Sequence, residues 1–537
     1  MDEHGLHVLD RRPVIPGGGP QTVATLLDPW VAERPQQPAL IGRHGRLSYA
    51  ELDRAVDVAA CALADAGIHS SDRIAACLPN DIDIVVAFLA SQRIGAIWVG
   101  VNRQLAAPEK AYILRDSGAR LFLGGAPQCA QLEPLRGELP DLKQIILVDP
   151  DDASADWAAR LKRAAGSGPP KVDIDPFAAA AIAYTSGTTG FPKGAVHSQH
   201  NLLIPGAVAR LTGNRPRPPQ QGVVLPLTIL NLFVLGPICI FYDGRTCVCM
   251  DRVDAPGVAE WVRKEQIGSF DGVPTIIYDL LTHPEVGRDD LVSLTEPIMG
   301  GADSPPEVIR LFRERFGGEV IIGYGMTEAP TAVTWSDGSV PPGPGLCGKP
   351  APQVEIEILG NDGRRLPPGE VGEICVRPAR SGVFAGVYTP MLGYWNRAEA
   401  TREVLQGDVY HTGDLGIVAE DGNLYIRGRR NELILRGGAN VYPAEVERAL
   451  QLHPAVEAAA VLGMDDERLG QRVVAVIQCS NGASLTEEEL LAHARDQLAR
   501  YKVPEMVRFV DEMPRNAMNK IVKPRLRNLF TGSGSPA

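Results

Sequence analysis

The residues between Tyr184 and Gly194 have the composition of a loop that binds phosphate groups. They read Tyr-Thr-Ser-Gly-Thr-Thr-Gly-Phe-Pro-Lys-Gly, and their hydroxyl and backbone N–H groups can converge on phosphate oxygens. Gly187 and Gly190 permit the close backbone approach that such binding requires, and Lys193 adds a mobile positive charge. The Gly-Lys-Ser/Thr ending of a Walker A loop is missing, which argues against a P-loop kinase. The alternative interpretation is a flexible surface turn.

Apolar residues directly before this loop predict the strand that positions it, because residues 178–183 read Ala-Ala-Ala-Ala-Ile-Ala. Strand patterns alternate with amphipathic helical patterns over residues 36–130 and again later in the chain, where a strand is expected at 223–229. In the first stretch, Ser48 followed by Glu51 forms a capping box that begins a helix. The alternation is typical of layered α/β sheets.

The chain changes character twice after these stretches. From about residue 340, glycine and proline become frequent and alternating apolar residues indicate antiparallel β-structure. After Arg430, a helix–strand–strand–helix–strand pattern indicates a compact unit of typical domain size. We therefore predict an α/β fold in which a large N-terminal domain of layered α/β subdomains plus a β-rich subdomain precedes a small mobile C-terminal α+β domain. The predicted boundaries are residues 1–430 and 431–537.

The composition is that of an ordinary globular protein, and its net charge of −12 argues against a nucleic-acid-binding surface. Nine cysteines, an odd number, do not suggest a disulfide framework. Cys247 and Cys249 are interpreted as buried strand residues rather than metal ligands. The first residues contain acids and no apolar core, and the apolar stretch 228–242 is too short to cross a bilayer. We expect a cytoplasmic protein with neither nucleic acid nor membrane as a partner.

Five segments, the phosphate-loop candidate among them, resemble those of the adenylate-forming superfamily of acyl-CoA synthetases, luciferases and peptide-synthetase adenylation domains. The other four follow in the family's order at 323–329, 410–416, 428–443 and 514–520, and the resemblance covers about residues 20–525. One such segment would carry little weight, whereas five in order are strong. The resemblance implies an enzyme that joins a carboxylic acid to coenzyme A, at the expense of ATP, through an acyl-adenylate.

The resemblance also implies a role for each matching residue. Lys520, Thr185 and Glu328 are the expected catalytic residues, with Lys520 bridging the carboxylate and the α-phosphate and Glu328 holding Mg²⁺. Tyr324 would offer its ring to adenine, and Asp414 would accept hydrogen bonds from the ribose hydroxyls. The expected ATP- or AMP-binding residues are Thr185, Ser186, Gly187, Thr188, Thr189, Gly190, Lys193, Gly301, Ala302, Tyr324, Gly325, Met326, Thr327, Asp414 and Arg429.

For the second half-reaction, the resemblance implies a rotation of the small domain about a hinge at Asn431, where the family usually has Asp or Lys. Gly437 and Gly438 would then line the coenzyme A tunnel; the alternative for these glycines is a tight turn. The expected wall of the acid pocket comprises Ile229, Asn231, Leu235, Gly325, Thr331 and Ala332. Its apolar members favour a hydrophobic alicyclic, aromatic or fatty acid, unless residues 229–235 are only a core helix.

Several positions depart from the family pattern. Thr228 and Ile229 stand where many relatives carry an aromatic residue and a histidine, and Asn519 stands where glycine is common. For Glu328 and Lys520, the simpler alternatives are a helix N-terminal acid and a solvated lysine. The alternative functions are acyl transfer to a carrier protein, thioesterification of a supplied acyl-adenylate with weak adenylation, and non-catalytic nucleotide binding. ATP, Mg²⁺ and coenzyme A are the expected cofactors, a small-molecule carboxylic acid is the expected substrate, and a homodimer is left open.

Overall fold

The computed structural model describes most of the chain. The described residues are 1–168, 170–185, 191–213, 217–299, 306–316, 321–336, 338–341, 343, 345–437, 439–480, 482–515 and 521–530. The chain divides into two compact units. The first comprises Met1–Ile356, Val376–His411 and Gly422–Leu424, and the second comprises Glu357–Cys375, Thr412–Asp421 and Tyr425–Ala537. No helix within the described ranges combines the length and the apolar character that crossing a bilayer requires.

Strands and helices alternate through most of the first unit. The elements of both units are numbered together in chain order. The strands are β1 (Pro38–Gly42), β2 (Gly45–Ser48), β3 (Arg73–Cys77), β4 (Ile97–Gly100), β5 (Leu121–Gly124), β6 (Gln144–Leu147), β7 (Ala179–Thr185), β8 (Lys193–Ser198), β9 (Gln220–Val223), β10 (Thr246–Cys249), β11 (Ser269–Gly272), β12 (Ile298–Met299), β13 (Ile321–Met326), β14 (Ala329–Trp335), β15 (Leu346–Pro350), β16 (Val354–Leu359), β17 (Gly372–Pro378), β18 (Gly393–Tyr394), β19 (Leu405–Gln406), β20 (Val409–Val418), β21 (Leu424–Arg429), β22 (Ile434–Arg436), β23 (Ala439–Val441), β24 (Val456–Asp466), β25 (Gly470–Cys479) and β26 (Met506–Val510). The α-helices are α1 (Asp28–Glu33), α2 (Tyr49–Asp65), α3 (Ile82–Arg93), α4 (Ala107–Ser117), α5 (Ala126–Leu132), α6 (Asp156–Ala164), α7 (Gln199–Thr212), α8 (Leu230–Phe233), α9 (Cys239–Tyr242), α10 (Ala255–Glu265), α11 (Pro274–Thr282), α12 (Pro306–Phe316), α13 (Ala398–Val404), α14 (Pro443–Gln451), α15 (Glu487–Gln497) and α16 (Lys523–Leu526).

The predicted capping box begins α2. The N–H of Glu51 donates to the Ser48 hydroxyl, and the Ser48 N–H donates to the Glu51 carboxylate at 2.8 Å. These bonds satisfy two polar groups that a helix start leaves without partners. The helix then buries Leu52, Val56 and Leu63.

One sheet of the first unit carries the phosphate-loop candidate. Its strands follow the order β18-β8-β7-β4-β3-β5-β6. The strands β7, β4, β3, β5 and β6 run parallel to one another. Strand β8 is antiparallel to β7, and β18 is antiparallel to β8. Strand β7 is therefore the predicted strand before the loop, and Ile182 on it packs in a core with Val99, Phe122 and Val196.

A second sheet of the first unit contains β2, β1, β10, β9, β11, β12, β13, β14 and β15 in that order. From β1 to β13 neighbouring strands are parallel, and β13, β14 and β15 are antiparallel. The strand expected at 223–229 is wrong, because β9 ends at Val223. Pro226 has no N–H for a ladder, and the Leu227 N–H donates instead to Asn80 Oδ1 at 2.8 Å. Cys247 and Cys249 are buried strand residues of β10, as interpreted.

The second unit contains the small α+β arrangement that the sequence predicts. Strands β23, β22, β25 and β24 are neighbours in that order, and β26 pairs with β25. Val446 and Leu450 of α14 and Leu490 of α15 pack with Val473 and Ile477 of β25. Parts of β16, β17, β20 and β21, which are neighbours in one sheet, also belong to this unit. The mixed α/β fold class is confirmed.

Candidate active site

The phosphate-loop candidate connects the paired strands β7 and β8. The register pairs Tyr184 with Gly194 and Thr185 with Lys193, and the Thr185 hydroxyl donates to the Lys193 carbonyl oxygen at 3.5 Å. The hairpin therefore holds the two ends of the loop beside each other. The predicted residues that lie outside the described ranges are Ser186, Gly187, Thr188, Thr189 and Gly190.

A polar network fixes the first end of this loop. The Tyr184 hydroxyl donates to Asp116 Oδ2 at 2.8 Å, and Arg397 Nη2 donates to Asp116 Oδ1 at 2.6 Å. The Asp116 side chain is only 11% exposed, so removal of its partners would leave a nearly buried charge uncompensated. Burial, together with the charge of Asp116, raises the pKa of Tyr184 above its usual value. The hydroxyl therefore keeps its proton and remains a donor at neutral pH.

Tyr112 of α4 fixes the second end of the loop. Its hydroxyl donates to the Pro192 carbonyl oxygen at 3.0 Å. Its ring stacks on the ring of Phe191, with centroids 5.1 Å apart and planes 24° from parallel. Phe191 is itself 71% exposed, so the tyrosine supplies the contact that a solvent-facing loop residue would otherwise lack.

Strands β13 and β14 form a second hairpin, whose turn carries Thr327 and Glu328. The register pairs Gly325 with Ala332 and is irregular on both sides of Gly325. Tyr324 is buried at 8% exposure, whereas Gly325 is exposed. Met326 is partly buried, and Thr331 lies in β14. The irregular register breaks the strand pattern at the residues expected to meet the nucleotide.

Tyr394 connects the two hairpins. Its hydroxyl donates to Glu328 Oε1 at 2.9 Å, and the Lys193 ammonium lies over its ring, 5.3 Å from the centroid. The Tyr394 side chain is buried at 6% exposure. Tyr394 thus contacts both Lys193 and Glu328, two predicted site residues that are 135 positions apart in the chain.

A buried histidine supports the Glu328 turn from β8. His197 is fully buried, and its Nε2–H donates to the Thr327 carbonyl oxygen at 2.8 Å. Burial lowers the pKa of His197 to about 3, so the imidazole is neutral. Asn201 Nδ2 donates to the remaining ring nitrogen, Nδ1, at 3.4 Å, which agrees with a proton on Nε2.

The expected wall of the acid pocket lies in a short, bent helical segment. Ile229 caps α8, and the backbone of Gly236 departs from helical geometry within the π-helical turn Val234–Ile238. Asn231 and Leu235 are partly exposed, while Phe233 between them is buried. The Asn231 Oδ1 atom is buried and accepts no hydrogen bond from any described residue. A polar atom without a partner is therefore enclosed in an apolar segment.

In the second unit, Asp414 and Arg429 form an ion pair with Nε and Oδ1 3.2 Å apart. The Asp414 side chain is 13% exposed. Its N–H donates to the Thr412 hydroxyl at 3.0 Å, and Gly413 before it adopts φ +71°. Such a left-handed backbone suits glycine. The structure thus places Asp414, the expected ribose ligand, beside Arg429.

Asn431 lies in the single 3-10 turn Arg430–Glu432. Glu432 directly after it forms an ion pair with Lys523 Nζ at 2.5 Å, and the same ammonium lies 2.8 Å from Glu447. Gly437 adopts φ +57° and donates to the Leu469 carbonyl oxygen at 2.7 Å, so this glycine occupies a turn. The other sequence-predicted residues outside the described ranges are Gly301, Ala302, Gly438 and Lys520.

The charges near Tyr394 suit a bound polyphosphate and its cation. Glu328 forms no ion pair with any described residue and accepts from a neutral phenol. Carboxylate oxygens are ligands that a hard cation such as Mg²⁺ prefers, so the donor chemistry fits that ion. Lys193 offers an ammonium group to phosphate oxygens.

No role is predicted from the sequence for the residues that position these groups. Tyr112, Asp116, Tyr394 and Arg397 lie outside the five segments that carry the family resemblance. Each acts through a contact with a residue distant in the chain, and local periodicity does not report such contacts. The signal that could have singled out Tyr394 is the aromatic Gly-Tyr-Trp-Asn run at residues 393–396, but such a run does not identify the partner of the tyrosine.

Comparisons with known proteins agree with this arrangement. Residues 27–388 match the family model of AMP-binding enzymes, and residues 445–520 match the model of the AMP-binding enzyme C-terminal domain. A feruloyl-CoA synthase of an Amycolatopsis species is 34% identical over 500 residues, which cover 91% of this chain and 95% of that protein. The long-chain-fatty-acid–CoA ligase FadD13 of Mycobacterium tuberculosis is 30% identical over 497 residues, covering 91% of this chain and 94% of that protein.

A solved structure is similar over almost the same extent. The anthranilate CoA ligase AuaEII in complex with anthranoyl-AMP superposes with a TM-score of 0.83 at 25% identity. The match covers 95% of this chain and 98% of that one.

Proposed function

The chain belongs to the family of AMP-binding enzymes and is an AMP-forming acyl-CoA ligase that uses ATP and coenzyme A. We propose a role for individual residues in each of its two half-reactions, and we propose the class of acid on which it acts. The observation that carries the proposal is the convergence of Lys193 and Glu328 on Tyr394, beside the hairpin that bears the phosphate-loop candidate.

The first half-reaction joins the acid to AMP. A carboxylate oxygen attacks the α-phosphorus of ATP, the bond to the β-phosphate oxygen breaks, and pyrophosphate leaves. Thr185 and Lys193, with the loop residues between them, hold the β- and γ-phosphates and balance the charge that develops on pyrophosphate. Lys520 bridges the carboxylate and the α-phosphate. Both reacting groups are anions, so their approach needs this neutralisation.

The nucleotide's base and sugar are held by separate parts of the chain. Gly325, Met326 and Thr327, with Gly301 and Ala302, contact the AMP moiety, and the backbone of this irregular hairpin is open at the exposed Gly325. Asp414 accepts hydrogen bonds from the ribose hydroxyls, and Arg429 holds its carboxylate by the ion pair. Tyr324, which is largely buried, offers the face of its ring to adenine.

Glu328 is the proposed ligand of Mg²⁺. The ion, when bound, neutralises phosphate charge. The turn holds Glu328 by the His197–Thr327 hydrogen bond on one side and by Tyr394 on the other. A carboxylate held at both its backbone and its side chain loses little further freedom when it binds a cation.

For the second half-reaction, we propose that residues 431–537 act as a mobile domain that turns about Asn431. The coenzyme A thiolate then attacks the acyl carbon and AMP leaves. Gly437 and Gly438 line the route of the pantetheine arm, where a side chain would obstruct it. The Lys523 pairs with Glu432 and Glu447 secure the segment that follows the hinge.

The proposed substrate is a hydrophobic acid with a ring or a long chain. Ile229 and Leu235 supply apolar, partly exposed surface in the expected wall. Phe233 behind them stacks on Phe88 at 4.1 Å between centroids and meets Trp98 edge-on at 6.2 Å, which makes the wall rigid. The similar ligases named above act on feruloyl, long-chain fatty and anthraniloyl groups, and all three groups are largely apolar.

Two further expectations stay predictions. The first is a cytoplasmic location, and the second concerns the oligomeric state, for which a homodimer is left open. Fractionation of the native cell and measurement of the molar mass in solution against the monomer's 57.6 kDa test them.

The decisive variant is Lys520→Ala, assayed separately in each half-reaction. ATP–pyrophosphate exchange with a panel of acids should be abolished, and coenzyme A transfer from a supplied acyl-adenylate should be retained. Equal loss of both activities would contradict the division of roles. Reaction of short polar acids alone would contradict the hydrophobic pocket, and transfer to a carrier protein but not to coenzyme A would favour the carrier alternative.

A further inference from the structure

We propose that Tyr394 is a positioning residue that keeps Glu328 and Lys193 close together yet unpaired, so that both charges stay available to a divalent cation and its polyphosphate. This inference rests on the proposed roles of Glu328 and Lys193. It assigns Tyr394 no contact with substrate.

The backbone around Tyr394 is held rigidly. Strand β18 pairs with β8, with Gly393 opposite Val196 and Tyr394 opposite Ala195. The Tyr394 N–H donates to the Thr401 hydroxyl at 3.0 Å. A side chain that leaves so constrained a backbone has few directions open to it.

The ring is equally confined. It packs in a buried cluster with Ala195, Met391, Leu405 and Tyr410. This packing restricts the position of the Tyr394 hydroxyl, which lies 2.9 Å from Glu328 Oε1.

The same short segment also holds the main chain of Glu328, because the Met391 N–H donates to the Glu328 carbonyl oxygen at 3.3 Å. Residues 391–394 thus contact Glu328 at both ends. A role in positioning explains the two contacts together, whereas a merely space-filling tyrosine would need neither.

The contact with Lys193 is of a different kind. The ring face attracts the ammonium without neutralising it, just as the phenol donates to the carboxylate without cancelling its charge. Among the described residues, neither Glu328 nor Lys193 takes part in an ion pair within 4.0 Å. If the two charges paired with each other, a cation and a phosphate would each have to break that pair before binding. A neutral aromatic residue between them removes this competition.

The test uses Mn²⁺ as a spectroscopic probe for the cation, with the full-length protein. Electron paramagnetic resonance measures the dissociation constant of Mn²⁺ in the presence of ATP and without acid, for wild type, Tyr394→Phe, Glu328→Gln and Tyr388→Phe. Tyr388 is the matched control, because it is fully buried and its hydroxyl has no hydrogen-bond partner among the described residues. Tyr394→Phe keeps the ring, and hence the Lys193 contact, and removes the hydroxyl that donates to Glu328.

We expect Tyr394→Phe to weaken Mn²⁺ binding about 10- to 150-fold, the range that corresponds to loss of a hydrogen bond to a charged group. Pyrophosphate exchange should then need more metal, while the KM for ATP at saturating Mn²⁺ should change less than about twofold, because the phosphate contacts remain. Tyr388→Phe should match wild type.

Three results would overturn the proposal in distinguishable ways. Wild-type affinity in Tyr394→Phe, with weakened binding in Glu328→Gln, refutes the role of Tyr394 and leaves the function of Glu328 standing. Unchanged affinity in Glu328→Gln refutes the metal role of Glu328 itself. Equal weakening in Tyr394→Phe and Tyr388→Phe shows that loss of any buried hydroxyl in this segment has the same effect.

Discussion

Replacement of Tyr112 by Phe removes a hydroxyl at the end of the phosphate loop, which also contacts the Arg397 and Asp116 side chains. The variant keeps the ring that stacks on Phe191 and removes the hydroxyl that donates to the Pro192 carbonyl oxygen at 3.0 Å. A hydrogen bond between neutral groups contributes about 1 kcal/mol. If that bond stabilises the loop conformation that binds ATP, its loss lowers the population of this conformation about fivefold, since 1.4 kcal/mol corresponds to a factor of ten.

The KM for ATP in pyrophosphate exchange should therefore rise about fivefold, with kcat nearly unchanged, because only the competent fraction of the free enzyme has changed. Tyr278→Phe is the matched control, because Tyr278 is 47% exposed on α11. An unchanged KM for ATP in Tyr112→Phe, accompanied by a lower melting temperature, would refute the reasoning. The hydroxyl would then stabilise the fold without influencing the loop.

Three further variants test other parts of the site. Asn231→Leu removes a buried acceptor that no described residue satisfies, so the free energy of unfolding should stay equal or rise by up to about 1 kcal/mol; selectivity should move toward acids with fully apolar groups, and a fall in stability by urea denaturation would contradict this. His197→Asn tests pH dependence: burial lowers the folded-state pKa of His197 to about 3, below the ordinary 6.5, so the unfolded chain binds more protons below pH 6.5. Wild type should consequently lose about 1.4 kcal/mol of stability between pH 8 and pH 5.5 beyond any loss in the variant, and parallel urea-denaturation profiles would count against a neutral buried histidine. Asp414→Asn should change stability by less than about 1 kcal/mol, because its pair with the 54% exposed Arg429 is solvated; it should weaken discrimination between ATP and 2′-deoxyATP, and retained discrimination would exclude Asp414 from the ribose site.

The sequence predicts those features that local chemistry determines. The Ser48–Glu51 capping box, the strand before the phosphate loop and the element order of the C-terminal unit all appear where they were expected. Each follows from residues within one element. The strand expected at 223–229 failed because an apolar run does not show whether it will pair, and Pro226 cannot contribute a donor.

The contacts that join the site could not be predicted in this way. Tyr394 and Glu328 are 66 positions apart, and Arg397 and Asp116 are 281 positions apart. Contacts of this kind depend on the tertiary arrangement, such as the pairing of β18, which carries Tyr394, with β8, which carries Lys193. The family resemblance predicts the residues that are expected to carry the chemistry. The residues that position them are identified from the fold.

Isotope transfer tests the central claim most directly. The acid is labelled with ¹⁸O in its carboxylate and incubated with the enzyme, ATP, Mg²⁺ and coenzyme A, and the products are examined by mass spectrometry. Attack of the carboxylate on the α-phosphorus places one ¹⁸O atom in AMP when the thiol displaces it, so the account predicts labelled AMP in a one-to-one ratio with acyl-CoA. Label in inorganic phosphate with release of ADP, or acyl-CoA formed with unlabelled AMP, would contradict an acyl-adenylate intermediate in this enzyme.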